Sequence, residues 1–173
     1  MTSNWALPTS VTQYAEPGAD NHVSWVDTNE FYSLKNNDGR SIKTSRDLLH
    51  IAKDPRHDLT DKTYFLKIVG FNFINLPSTL TGIEMRLTMN RYGRIADETI
   101  QLCLRDTLIG DNQTNFGLDP IKVYGSDINK WNAQITIADI QSPQFGVTLR
   151  FRSHPNWPHK NSALIDAVEL RVH

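Results

Sequence analysis

The sequence predicts an all-β protein: an antiparallel β-sandwich, jelly-roll-like, with an extended N-terminal arm over residues 1–40 and the sandwich over 41–173. Three observations carry this expectation. Apolar and polar residues alternate with period 2 in four separate segments, which is the signature of strands that bury one face and wet the other. Clusters of turn formers separate those segments at near-regular spacing, as in sandwiches and jelly rolls. The apolar residues of the first forty positions follow no sustained period of 3.6, so no ordinary amphipathic helix is encoded there.

Taken in order, residues 1–40 hold turn-forming stretches at Ala6-Leu7-Pro8-Thr9-Ser10, Ala15-Glu16-Pro17-Gly18 and Asn36-Asn37-Asp38-Gly39. This reads as an extended arm that contributes one or two short strands. Residues 45–62 are the one region that could be helical, for at most two turns: Ser45 is a capping residue, Leu48, Leu49, Ile51 and Ala52 follow, and Asp54-Pro55 stops the run. A solvated loop from Arg56 to Lys62 comes next. The β signal opens with Tyr64, Phe65, Leu66, Ile68 and Val69, extended by Phe71 and Phe73.

Alternation is strict from Gly82 to Arg91, with Ile83, Met85, Leu87 and Met89 on one face and Glu84, Arg86, Thr88 and Asn90 on the other. It recurs at 98–105 through Ile100, Leu102 and Leu104, at 145–152 through Phe145, Val147, Leu149 and Phe151, and at the end through Val168, Leu170 and Val172. Turns fall at Tyr92-Gly93, Gly110-Asp111-Asn112, Gly125-Ser126-Asp127 and Pro155–Asn161. Thr136 followed three residues later by Asp139 resembles a capping box and predicts one helical turn. The expectation is a single sandwich of roughly seven to nine strands, without internal repeats.

Composition narrows the function classes. The 18 Lys+Arg against 19 Asp+Glu leave a net charge of -1, which argues against a polybasic nucleic-acid binder. The 39% hydrophobic and 21% charged fractions are those of a globular chain. Cys103 is the only cysteine, so no intrachain disulfide is possible. The apolar runs are far short of the ~20 residues that span a bilayer, and no signal peptide is visible at Met1–Pro8. The expectation is therefore no membrane and no nucleic-acid partner.

Candidate chemistry is sparse. His154 and His159 flank Pro155-Asn156-Trp157-Pro158, but a zinc site needs three or four converging ligands and this loop supplies two. None of the nine glycines forms a phosphate-binding pattern. Asp97 and Glu98 point to opposite faces of a strand and cannot share a substrate. Cys103 has no evident basic neighbour to make it a thiolate nucleophile. Asp111, Asn112, Asn115 and Asp119 lack the spacing of a calcium loop. The expectation is a non-enzyme with no catalytic residues, no metal and no cofactor. Trp5, Trp25, Trp131 and Trp157 offer flat faces to a sugar or, more in keeping with their setting, to packing and protein contact. The candidate partner-contact residues are Trp5, Leu7, Trp25, His154, Trp157 and His159. Glu84, Arg86, Arg150, Arg152, Glu169 and Arg171 line polar strand faces, where they suit either cross-strand ion pairs or an assembly interface.

Several segments in order carry a resemblance: Leu66–Phe73, Leu76-Pro77-Ser78, Thr81–Arg86, Asp97–Leu102, Trp131 leading into Ile135–Ile140, Phe145-Gly146-Val147, and Val168–Val172. Together they resemble a β-sandwich domain of tailed-bacteriophage virion structural proteins, over residues 64–172. The resemblance implies a non-enzymatic structural role, decorating or joining parts of the head, neck, tail or baseplate in symmetric copies. It implies other virion proteins as partners, a homo-oligomer, and location in the virion after synthesis in the host bacterial cytoplasm. The alternative is a receptor- or glycan-binding module of a tail tip or fibre. The chain departs from the usual pattern at residues 40–62 and in the loop at 154–159.

Overall fold

The computed structural model describes residues 2–18, 22–26, 28, 42–45, 48, 50–52, 58–115, 117, 119–153 and 161–173. Its strands are β1 (Ser10–Tyr14), β2 (His22–Val23), β3 (Trp25–Val26), β4 (Ile42–Thr44), β5 (His50–Ala52), β6 (Asp58–Thr60), β7 (Lys62–Thr63), β8 (Phe65–Val69), β9 (Ile83–Tyr92), β10 (Ile95–Leu104), β11 (Thr107–Ile109), β12 (Ile121–Ser126), β13 (Phe145–Ser153) and β14 (Ser162–Val172), with α1 (Ile137–Ile140) before β13. Sheet one runs β12-β9-β14-β4-β3, and sheet two runs β1-β8-β13-β10-β11 with β7 and β2 appended. The strand-to-strand pairings are antiparallel except β2 with β7.

The connectivity is that of a jelly roll. Setting aside the short strands, β4, β8, β9, β10, β11, β12, β13 and β14 cross from one sheet to the other at every connection but the β10–β11 hairpin. The result is β4-β14-β9-β12 facing β8-β13-β10-β11, two interleaved Greek keys. The all-β sandwich-like fold expected from the alternation is therefore present. It holds more strands than expected because the chain before residue 64 supplies short additional pairings, three of them in the first 26 residues.

The alternating apolar residues meet in the middle. Ile83, Met85, Leu87 and Met89 of β9 and Val168, Leu170 and Val172 of β14 face Leu66, Ile68, Ile100, Leu102, Val147, Leu149 and Phe151 of sheet two, and all are at most 1% exposed. Each such side chain contributes about 1.5–3 kcal/mol relative to exposure, so the period-2 register is fixed strongly. The capping box forms as the sequence predicts: Asp139 N donates to Thr136 Oγ1 at 3.3 Å and Thr136 N donates to Asp139 Oδ2 at 2.8 Å.

The short helix expected within 45–62 is not found among the described residues there. Leu48 exchanges backbone hydrogen bonds with Asn161, N to O at 2.6 Å and 3.2 Å, and His50–Ala52 pairs with Asp58–Thr60 as a hairpin. A buried Leu48 in a long-range ladder outweighs the local capping signal, because two turns of helix are marginal by themselves.

The N-terminal segment is a strap between the two sheets. Ser3 N donates to Val172 O at 2.8 Å, and Ala6 and Leu170 exchange backbone bonds at 2.7 and 3.1 Å, so residues 3–6 cover the β14 edge beyond the reach of β4. Thr9 N then donates to Val69 O, and β1 continues along the edge of β8. The Gln13 side chain closes the gap by donating to Trp25 O and accepting from Trp25 N, each at 2.8 Å.

Candidate functional site

Two outer surfaces hold the unusual side chains, one on each sheet. On sheet one, Glu84 and Arg86 of β9 stand directly opposite Arg171 and Glu169 of β14. Arg86 donates from Nε and Nη2 to the two Glu169 oxygens at 2.6 and 2.7 Å, a bidentate pair. Arg171 donates from Nε to Glu84 Oε2 at 2.8 Å, and His173 Nε2 lies 2.7 Å from the same oxygen. Burial alone would raise the Glu84 carboxyl, but the hydrogen bonds from Arg171 and His173 outweigh it and hold the group below its ordinary value. The half-buried Trp5 ring is shared by both guanidinium groups, each 4.5 Å from its centroid.

Beside this ladder lies β12, the edge strand of sheet one. Val123 pairs with Arg86 and Ile121 with Thr88, so both apolar side chains join the outer face, at 49% and 57% exposure. Ile128, just past the strand, is 83% exposed. Natural edges are usually guarded by a charged side chain, most often lysine. The lysine of β12 does not serve that purpose: Lys122 turns inward, and its Nζ lies 3.0 Å from Asp97 Oδ2 on β10 of the other sheet. Tyr124 OH at 2.8 Å and Asn115 N at 3.0 Å donate to that same oxygen. Asp97 reaches this position because a β-bulge displaces the strand between Asp97 and Thr99. Glu98, on the opposite face as expected, pairs with Lys62 at 2.5 Å and Arg152 at 3.2 Å.

On sheet two a groove of about 340 Å³ runs between β1 and the β10–β11 hairpin. Thr12 and Tyr14 of β1 form one wall, Lys67, Thr148 and Cys103 the floor, and Arg105–Leu108 the other wall. Tyr14 stacks on Phe65 with ring centroids 5.0 Å apart, and Lys67 Nζ reaches across to Asp106 Oδ1 at 2.8 Å. That lysine holds the Asp106 carboxyl below its ordinary value. Burial pushes the phenol of Tyr14 and the thiol of Cys103 upward, so both stay protonated at neutral pH. Cys103 is thus poorly suited to nucleophilic work. Next to the groove, the buried Arg150 lies over the Phe65 ring at 4.4 Å, donates to Thr63 O at 3.2 Å and Glu16 Oε2 at 2.9 Å, and touches His22 Nε2.

Of the six expected contact residues, Trp5 is half-buried in the arginine clasp, and Leu7 is partly covered, its carbonyl accepting from Asn72 N at 3.2 Å. Trp25 is a core residue of this chain: it is 2% exposed, donates from Nε1 to Tyr64 O at 2.9 Å and meets Phe151 edge-on. His154, Trp157 and His159 lie outside the described residues. Asn112, weighed for calcium, instead uses its side chain on Ile100 N at 2.8 Å and Glu98 O at 3.0 Å. Among the described residues, no cluster of three metal-binding side chains occurs, and no helix is long and apolar enough to cross a membrane.

Other side chains hold the framework together. Trp131 is fully buried and donates from Nε1 to Ile83 O at 2.9 Å. Gly125, at φ 79°, leaves room for that indole, because a Cβ there would collide with Ile83 O and Trp131 Nε1. Asp97 ties the two sheets together, and Thr136 caps α1.

The fold and its surfaces define a strapped jelly-roll sandwich with an apolar edge at β12 and a polar groove on sheet two. No family model and no curated protein matches the chain. A solved structure connected with the endo-acting O-glycanases that prominent members of the human gut microbiota express to initiate mucin breakdown is similar over 96% of this chain and 94% of that chain, at 12% identity and a TM-score of 0.36. A likeness of that size carries no argument.

Proposed function

We propose that this chain is a non-enzymatic structural component of a tailed-phage virion, a decorating or joining protein of the head, neck, tail or baseplate that assembles in symmetric copies. The observation that supports it best is the β12 edge. Ile121 and Val123 are exposed along a strand whose outer edge meets no other strand among the described residues, and Ile128 is exposed just past its end. An apolar, unguarded edge is a template for pairing with another chain, and in a homo-oligomer the same patch closes on itself or on a neighbour. Lys122, the side chain that would oppose such pairing, is bound to Asp97 instead. The ion-pair ladder beside β12 supplies a polar rim with its charges already matched.

The test is native mass spectrometry of the purified chain, followed by stepwise stripping of particles from the phage that encodes it. The expected result is an oligomer that dissociates when Val123→Lys is introduced, and the chain at fixed stoichiometry in one particle fraction. A monomer at all concentrations, together with absence from every particle fraction, would overturn this reading.

A further inference from the structure

The groove on sheet two is a concavity of ligand size, and the proposed virion role leaves it unused. Its volume of about 340 Å³ sits at the small end of the range for ligand pockets, enough for one or two sugar rings rather than a peptide or nucleotide. Its chemistry is mixed in a particular way. Tyr14 supplies an aromatic surface that is 43% exposed and held in place by its stack on Phe65. Leu108, 39% exposed, supplies an apolar patch on the facing hairpin. Between them lies an ion pair, Lys67 with Asp106, which presents ammonium donors and carboxylate acceptors together at no net charge.

We propose that this groove is a binding site for a neutral saccharide, with the apolar face of one pyranose ring against Tyr14 and adjacent hydroxyls bridging Lys67 and Asp106. A pyranose has this dual character: a C–H face that suits an aromatic ring, and vicinal hydroxyls that both donate and accept. At the pair itself a charged ligand is disfavoured, although Arg105 on the hairpin wall adds a positive charge to the groove. A carboxylate or phosphate would have to displace Asp106 from Lys67, while a neutral hydroxyl pair adds to the existing bond. Thr12 extends the polar wall along β1.

The hairpin that delivers Asp106 also carries a mark of strain. Arg105 has φ 58°, a left-handed conformation that non-glycine residues adopt at a cost, and it opens the tight β10–β11 turn. The turn is thereby held in the geometry that lets the Asp106 carboxylate reach back over the sheet to β8.

The experiment is saturation-transfer NMR on the full chain with methyl glycosides of glucose, galactose, mannose, N-acetylglucosamine and N-acetylgalactosamine, and with glucuronate and N-acetylneuraminate as an acidic arm. At least one neutral glycoside is expected to give transfer, and its affinity should fall about tenfold or more in both Tyr14→Ala and Asp106→Ala. Asp106 is 99% exposed, so its replacement tests the site without threatening the fold. Should Tyr14→Ala fail to fold, Asp106→Ala decides alone. No transfer from any neutral glycoside, transfer only from the acidic sugars, or retention of full affinity in a folded variant would each overturn the assignment. Val123→Lys, on the opposite sheet, is expected to leave the signal intact, which separates failure of the groove from failure of the β12 interface.

Discussion

Removing the Asp97 carboxylate is the sharpest test of how β12 is held. Its Oδ2 lies 3.0 Å from Lys122 Nζ and accepts from Tyr124 OH and Asn115 N, with side-chain exposures of 0% for Asp97 and 3% for Lys122. In Asp97→Ala the ammonium loses the carboxylate 3.0 Å away and the tyrosine hydroxyl loses that acceptor, while Lys122 keeps its donation to Asn115 O. Breaking a buried pair from one side costs about 3–5 kcal/mol, whereas replacing both charges by apolar groups is often close to neutral. For a chain of 173 residues that single loss corresponds to a Tm drop of about 6–20 °C, at roughly 2–4 °C per kcal/mol. Asp97→Ala, Lys122→Met and the double variant form a cycle to be followed by urea unfolding at neutral pH. The double variant is expected to recover more than half of the Asp97→Ala loss. Amide exchange along β12 should accelerate in Asp97→Ala more than along β14. A loss below about 1 kcal/mol in Asp97→Ala, or strict additivity of the two single losses, would refute the inference that this pair pins the edge strand to the second sheet.

Three further outcomes follow from other parts of the chain. Trp5→Ala, which removes a ring shared by Arg86 and Arg171, should cost about 1–2 kcal/mol in calorimetry. Trp5→Phe should retain about half of that contribution, and equal losses in the two variants would refute a cation–π origin. Burial and the Arg150 guanidinium hold the His22 imidazole below its ordinary value of 6.5. Above pH 6.5 both states are neutral; as the pH falls below it, the unfolded chain takes up a proton that the folded chain resists, so stability should fall over that range. Equilibrium unfolding of His22→Gln between pH 7 and 5 should lack this component; an unchanged slope would exclude it. Arg105→Gly relieves a left-handed backbone and should raise stability by about 0.5–1 kcal/mol in chemical denaturation, a loss of similar size being the contrary result.

The strands of the sandwich were legible because one buried face imposes period 2 on the residues themselves: Ile83, Met85, Leu87 and Met89 all turn inward as their spacing predicts. The cap at Thr136 was legible because both halves of its hydrogen-bonding box lie within four residues. Leu48 misled because its neighbours satisfy a helical spacing locally, while its actual partner, Asn161, is more than a hundred residues away. The same distance problem hid Trp25, whose hydrogen bond to Tyr64 gives no local sign. The groove was invisible for a stronger reason. Tyr14, Lys67, Thr148, Cys103 and Asp106 come together only after β1, β8, β13 and β10 are aligned side by side, and no spacing in one strand encodes that alignment.

The strap that joins residues 3–6 to the far end of β14 also dictates an order of events during synthesis. The backbone groups of Ser3 and Ala6 pair with Val172 and Leu170, and β9 and β4 likewise find β14 as a neighbour. Residues 3–6 must therefore wait for β14, which lies far later in the chain. Until β14 has left the ribosome, sheet one lacks its middle strand, and β9 and β4 have nothing between them. Closure of the sandwich therefore rests on pairings between distant parts of the chain, and is slow by the standards of chains with local contacts. During that interval β9 presents the strand edge that β14 will later cover, and an unpaired edge of this length is the surface most in need of a chaperone's attention.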